Sequence, residues 1–123
     1  MSKFIFLVDD SSTMLMSVRA TLEMNGYKVE TASDGTDALE RLKSLDPDLI
    51  ITDINMPKMG GMELIKALRA ISKFRFTPIL TLTTESESAK RDEAKRLGAT
   101  GWLVKPVPAA ELALVLKRIL PGA

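Results

Sequence analysis

A chain of 123 residues with 46% hydrophobic content is long enough to fill a single core without disulfides, and one domain is expected over 1–123. Its 17 Lys and Arg against 16 Asp and Glu leave a net charge of +1, which argues against a nucleic-acid platform or a polybasic membrane binder. The absence of Cys and His removes thiol nucleophiles, thiolate zinc sites and imidazole bases, so a Ser-His-Asp triad is excluded and carboxylates, hydroxyls and lysines must carry the chemistry.

The first apolar run, FIFLV (4 to 8), is too short for a signal-peptide core or a membrane span; it reads as a strand ending in Asp9-Asp10, in a soluble cytoplasmic protein. Leu15, Val18 and Leu22 then follow helical steps up to a stop at Asn25-Gly26. YKVETA (27 to 32) alternates weakly as a second strand, and Ala38, Leu42 and Leu45 mark a second helix. LIIT (49 to 52) is the third strand; it delivers Asp53 and breaks at once into Met56-Pro57 and Gly60-Gly61. A third helix carries Leu64, Leu68 and Ile71, and ILTLT (79 to 83) is a fourth strand ending in Thr83-Thr84. Thr84 with Glu87 reads as a capping box for a helix over 86–97 that stops at Leu97-Gly98. With Ala89, Ala94 and Leu97 as its thin apolar stripe, that helix should be the most exposed of the five. WLV (102 to 104) is a fifth strand ending in Lys105-Pro106, and Pro108 at a first helical position opens the last helix, with Leu112, Val115 and Ile119 on its apolar side.

Strand and helix alternate five times, which predicts an α/β doubly wound parallel sheet covered on both faces, with ligands bound outside the carboxyl ends of the strands. Taken singly, the residues at those ends are ordinary: Asp forms turns, Thr suits strands, Lys is usually solvated. Together they bring three acids to one edge. Two carboxylates about 4 Å apart repel by roughly 1 kcal/mol in water and about 4 kcal/mol at a partly buried site. A cation is therefore expected, and oxygen ligands with room for waters suit Mg²⁺. Asp53 can then act as nucleophile on a phosphoryl group, giving an acyl phosphate, with Lys105 and the Thr83 hydroxyl on the phosphoryl oxygens. No glycine-rich P-loop, dinucleotide fingerprint or twelve-residue calcium loop is present.

VDD (8 to 10), DINMPKMGG (53 to 61), LTT (82 to 84) and KP (105 to 106) closely resemble the receiver domains of two-component response regulators, the single-domain chemotaxis kind above all. The resemblance spans nearly the whole chain and implies a flavodoxin-like sheet of order 2-1-3-4-5. It implies that Asp53 is the phosphoacceptor, taking its phosphoryl group from a phosphohistidine on a histidine kinase. Asp10, Asp53 and the Asn55 backbone carbonyl would hold Mg²⁺, with Asp9 helping through water. Lys105, Thr83 and Thr84 would serve the phosphoryl group, Lys105-Pro106 would be a cis peptide, and Asn55 with Glu85 would tune a short-lived phosphorylated state. Such a chain phosphorylates and dephosphorylates itself without being an enzyme in the ordinary sense.

Trp102 stands where the family has an aromatic switch, usually Tyr or Phe; it is larger and its indole only donates, so it is either a switch with Thr83 or a packed, partner-facing aromatic. Few residues follow Ile119, so no output domain is expected and the signal should leave by binding. The implied partner face is roughly 87–119, met by a downstream protein such as a flagellar motor switch, and the protein is expected to be a monomer. A role as a stand-alone phosphate shuttle or sink fits the same residues. A small aspartyl-phosphate phosphatase of the haloacid dehalogenase kind is the rival from another class, but it requires a second Asp where this chain has Asn55. A flavin domain on the same sheet would need a phosphate loop after the first strand, which is missing.

Overall fold

Strands this continuously apolar are stable only where helices cover both faces of the sheet, and the computed structural model, which describes residues 3–120, shows that arrangement. In chain order the elements are β1 (Phe4–Val8), α1 (Ser12–Met24), β2 (Lys28–Ala32), α2 (Gly35–Leu42), β3 (Leu49–Thr52), α3 (Gly61–Arg69), a 3₁₀ turn (Ser72–Phe74), β4 (Ile79–Thr83), α4 (Ser88–Leu97), β5 (Gly101–Val104) and α5 (Ala109–Ile119). All pairings are parallel, and the order β2-β1-β3-β4-β5 is the expected 2-1-3-4-5. No described helix is long and apolar enough to cross a membrane.

The sheet separates two cores. On one side Ile5, Leu7, Leu49 and Ile51 meet Val18 and Leu22 of α1 and Leu112 and Leu116 of α5. On the other, Phe6, Val8 and Ile50 meet Ala38 and Leu42 of α2, Leu64 and Leu68 of α3, and Ala94 of α4. The alternation of neighbouring strand residues between the two lists follows from the two-residue period of a strand. Burying each such Leu or Ile contributes about 1.5–3 kcal/mol.

Helix ends differ from the sequence reading in identifiable ways. Leu45 and Ile71 lie beyond α2 and α3, although both still pack on the second core. Pro108 is the residue before the first helical position of α5, with an extended ψ of 143°. The capping box does not form: α4 begins at Ser88 behind Glu87, with no side-chain cap. Instead the Glu87 amide donates to Glu85 Oε2 at 3.4 Å. Ala94 and Leu97 pack as expected while Ala89 is exposed, leaving Ala94 as the one buried residue of α4. Gly26 (φ 89°) and Gly98 (φ 115°) close α1 and α4 in the left-handed region that glycine adopts freely.

One side chain fastens the edge opposite the strand carboxyl ends. Arg69, at the end of α3, donates to the carbonyls of Phe74 (2.6 Å), Thr77 (2.7 Å) and Gly98 (2.7 Å), tying the segment before β4 to the end of α4.

Candidate phosphoacceptor site

Parallel register brings the strand ends together. The Asp53 amide donates to Val8 O at 2.9 Å and the Lys105 amide to Thr83 O at 2.8 Å, so the residue after each strand is locked to its neighbour. Asp53 and Asp9 are nonetheless buried, at 8% and 4% exposure, while Asp10 is exposed.

A carboxylate in such a position needs partners, and each is present. Asp53 Oδ1 accepts the Ile54 amide at 2.7 Å, and Asp9 Oδ1 accepts the Ser11 amide at 3.0 Å. The remaining oxygens share one ammonium: Lys105 Nζ lies 2.5 Å from Asp9 Oδ2 and 3.2 Å from Asp53 Oδ2. Burial alone would lower the Lys105 pKa, but the hydrogen bond to Asp9, the charge of Asp53 and their further contributions outweigh it and raise it. The lysine is thus a firmly held cation between two anions.

The same acids fit a divalent ion. Carboxylate oxygens of Asp9, Asp10 and Asp53 lie within 4.8 Å of one another. Two oxygens bound to one Mg²⁺ are separated by at most about 4.2 Å, so closing by well under an ångström brings all three into range. Three carboxylates against one lysine leave an excess of negative charge facing an open cleft of about 400 Å³, walled also by Ser11, Met14, Thr84 and Pro106. Hard oxygen donors beside open space are the donor set that Mg²⁺ selects.

Of the residues singled out from sequence, Asp9, Asp10, Asp53, Thr84, Lys105 and Pro106 wall this one cleft, and Lys105-Pro106 is cis as expected. Asn55 lies in the loop directly after Asp53, with its residue exposed. Thr83 is fully buried, and its hydroxyl accepts the Glu85 amide at 3.2 Å. Trp102 is set back on β5, half-buried against the second core, and its indole N–H donates to the Glu85 carbonyl at 3.1 Å. Thr83 and Trp102 therefore meet at the two backbone groups of one residue. Beside Trp102 lies a second cavity of about 190 Å³, bounded by Arg91, Ala94 and Lys95 of α4.

Sequence reasoning missed Ser11 and Met14 in the cleft. Ser11 was discoverable: a serine just before a helical pattern is a cap signal, and its hydroxyl accepts the Met14 amide at 3.3 Å. Gly61 has an equally concrete reason. A side chain there would stand 2.1 Å from Asp53 O, so the break after Asp53 exists to let α3 start against the backbone of that aspartate.

A family model described as the response regulator receiver domain matches residues 5–117, and the chain belongs to that family. It is 40% identical to chemotaxis protein CheY-3 of Vibrio cholerae over 94% of this chain and 89% of the relative. It is 39% identical to the alkaline phosphatase synthesis transcriptional regulatory protein PhoP of Bacillus subtilis, over 98% of this chain; it spans about half, 49%, of that relative. Among solved structures, chemotaxis response regulator CheY4 of Vibrio cholerae superposes with a TM-score of 0.92 at 47% identity, covering 98% of this chain and 100% of that one. The receiver domain of sensor histidine kinase PA1611 from Pseudomonas aeruginosa, solved with a magnesium ion coordinated in its active site cleft, superposes with a TM-score of 0.89 at 29% identity, covering 96% and 97%. The chain is a CheY-like receiver with the flavodoxin-like fold.

Proposed function

We propose that this chain is a phosphorylation-controlled signalling switch of chemotaxis, charged on Asp53 by a phosphohistidine of a histidine kinase. The observation that carries the reading is the shared ammonium: Lys105 Nζ holds Asp53 Oδ2 at 3.2 Å in an open cleft that Asp9 and Asp10 also wall. An Asp53 carboxylate oxygen attacks phosphorus, the new P–O bond replaces the P–N bond to the donor, and the imidazole leaves with the electron pair. Asp9, Asp10, Asp53 and the Asn55 carbonyl would hold Mg²⁺, which when bound supplies positive charge to the phosphoryl oxygens. Lys105, already desolvated beside Asp53, pairs with a phosphoryl oxygen. Water reaching the same cleft returns the chain to its resting state.

Thr83 transmits the event. Its oxygen accepts the Glu85 amide, which leaves its own proton free for a phosphoryl oxygen. Drawing the hydroxyl toward Asp53 strains the Glu85 bond and moves the carbonyl that holds the Trp102 indole. The consequence appears on α4, β5 and α5, roughly residues 87–119, where a downstream protein such as a flagellar motor switch docks. Phosphorylation shifts this equilibrium only by as much as it favours one state over the other.

Intact mass after incubation with acetyl phosphate tests the reading. A gain of one phosphoryl group with Mg²⁺, absent without the metal and in Asp53→Asn, is expected, together with a change in Trp102 fluorescence. Absence of any adduct sinks the phosphoacceptor role, and sustained turnover of phosphate esters would point to a phosphatase.

A further inference from the structure

The β3–α3 segment from Ile54 to Gly60 carries Asn55 and has no helix or strand of its own. Its inner end is closed by the Gly61 amide donating to Ile54 O at 2.8 Å. Its outer end is held by α2. Gly35, the first helical residue there, donates its N–H to Met59 O at 3.1 Å. A first-turn N–H has no acceptor within its helix, so this bond competes with nothing. It requires glycine: a Cβ at position 35 would lie 2.4 Å from Met59 O and 2.9 Å from Met59 Cβ.

The neighbouring residues repeat the pattern. Asp34 caps α2 through Oδ1 on the Asp37 amide at 2.8 Å, while its Oδ2 lies 3.8 Å from Lys58 Nζ. Lys58 has φ 66° and is the one non-glycine residue described with a positive φ, a left-handed conformation that a residue with a Cβ adopts only at a cost. Strain of this kind persists only where surrounding structure over-determines it. The helix does not need the contact, since it has its cap from Asp34 and its core residues in Ala38 and Leu42. The segment does: Ile54, Met56 and Met59 pack on the second core, and the Gly35 N–H adds a backbone bond at its outer end.

We infer that the first turn of α2, through Gly35, is a bracket that sets the position of the Asn55 backbone carbonyl and thereby the affinity of the cleft for a divalent cation. The inference rests on the phosphoacceptor reading, in which that carbonyl is a cation ligand. Mg²⁺ demands near-octahedral geometry, and groups that orient a ligand change metal affinity by roughly ten-fold or more when altered. Gly35 acts through Met59 and is a positioning residue; the nucleophile and Lys105 are untouched by it.

Two measurements test it. Calorimetric titration of Gly35→Ala with Mg²⁺ alone is expected to give a dissociation constant about ten-fold weaker than wild type, with Asp53 phosphorylation recovering at saturating Mg²⁺ and the circular dichroism spectrum unchanged. An unchanged dissociation constant in a folded variant overturns the inference. To keep the test independent of the variant's folding, the wild type is titrated with Mg²⁺ in parallel while backbone amide resonances are followed. The Gly35 and Lys58 signals should shift with the same midpoint as those of Asp53 and Ile54. Shifts confined to the cleft overturn the bracket and leave the phosphoacceptor reading standing; no shift anywhere overturns both.

Discussion

Lys105 occupies, in the resting protein, the electrostatic position that an incoming cation would share. Its side chain is 8% exposed and touches two acids that are 5% and 10% exposed, so removing it strands two buried carboxylates. Lys105→Met should destabilise the metal-free protein by on the order of 3–5 kcal/mol. Because Mg²⁺ answers the same charges, it should raise the thermal midpoint of the variant more than that of wild type. Equal shifts in parallel melts would show that lysine and metal do not act on the same oxygens. Gly61 offers a second test at this scale. With Asp53 O only 2.1 Å from a built Cβ, Gly61→Ala should lower stability by more than about 1 kcal/mol in urea unfolding. The acids and the lysine were legible in sequence because each interrupts an apolar run. Gly35 and Arg69 were not, because their meaning lies in acceptors far along the chain, such as Gly98 O, 29 residues from Arg69.

Among the elements, the β4–α4 connection joins chemistry to surface. Two side-chain bonds organise it: Thr83 Oγ1 takes the Glu85 amide and Glu85 Oε2 takes the Glu87 amide. That local organisation delays α4 to Ser88 and explains why a capping box written into Thr84 and Glu87 does not form. The Trp102 indole adds a third bond to the same connection. Trp102→Phe removes about 1 kcal/mol of hydrogen bonding, so amide exchange at Glu85 and Glu87 should quicken roughly five-fold. Unchanged exchange would show that the indole does not restrain the connection. Tyr27, between α1 and β2, is the only tyrosine and reports on that junction. Burial raises its pKa above 10.0, so its contribution to stability is complete below 10.0 and is lost as pH rises through the higher folded value. Tyrosinate absorbance should titrate above pH 10.0 in the folded protein and near it in denaturant. The alkaline loss of stability should be shallower in Tyr27→Phe.

Across the whole molecule, the parallel sheet assigns different work to its two edges. The carboxyl edge gathers Asp9, Asp53, Thr83 and Lys105, and the sequence announced this through four strands, all but the second, that each run into a polar residue. The opposite edge is closed by Arg69 and by Lys73, whose ammonium reaches Lys43 O and Leu45 O at 2.9 and 2.8 Å. Motion should therefore be graded along α4, with amides near Ser88 exchanging faster than those near Leu97. Arg69→Ala should abolish the gradient by releasing the slow end.

The turn at Gly26 stands apart from these bonds. Glu23 to Gly26 are all exposed, and a Cβ built on Gly26 meets nothing within 4 Å. Cutting the chain there and joining its ends elsewhere, or splicing in an epitope or fluorescent module after Gly26, leaves both edges of the sheet intact. This turn is where the protein can be rebuilt as a sensor of its own phosphorylation.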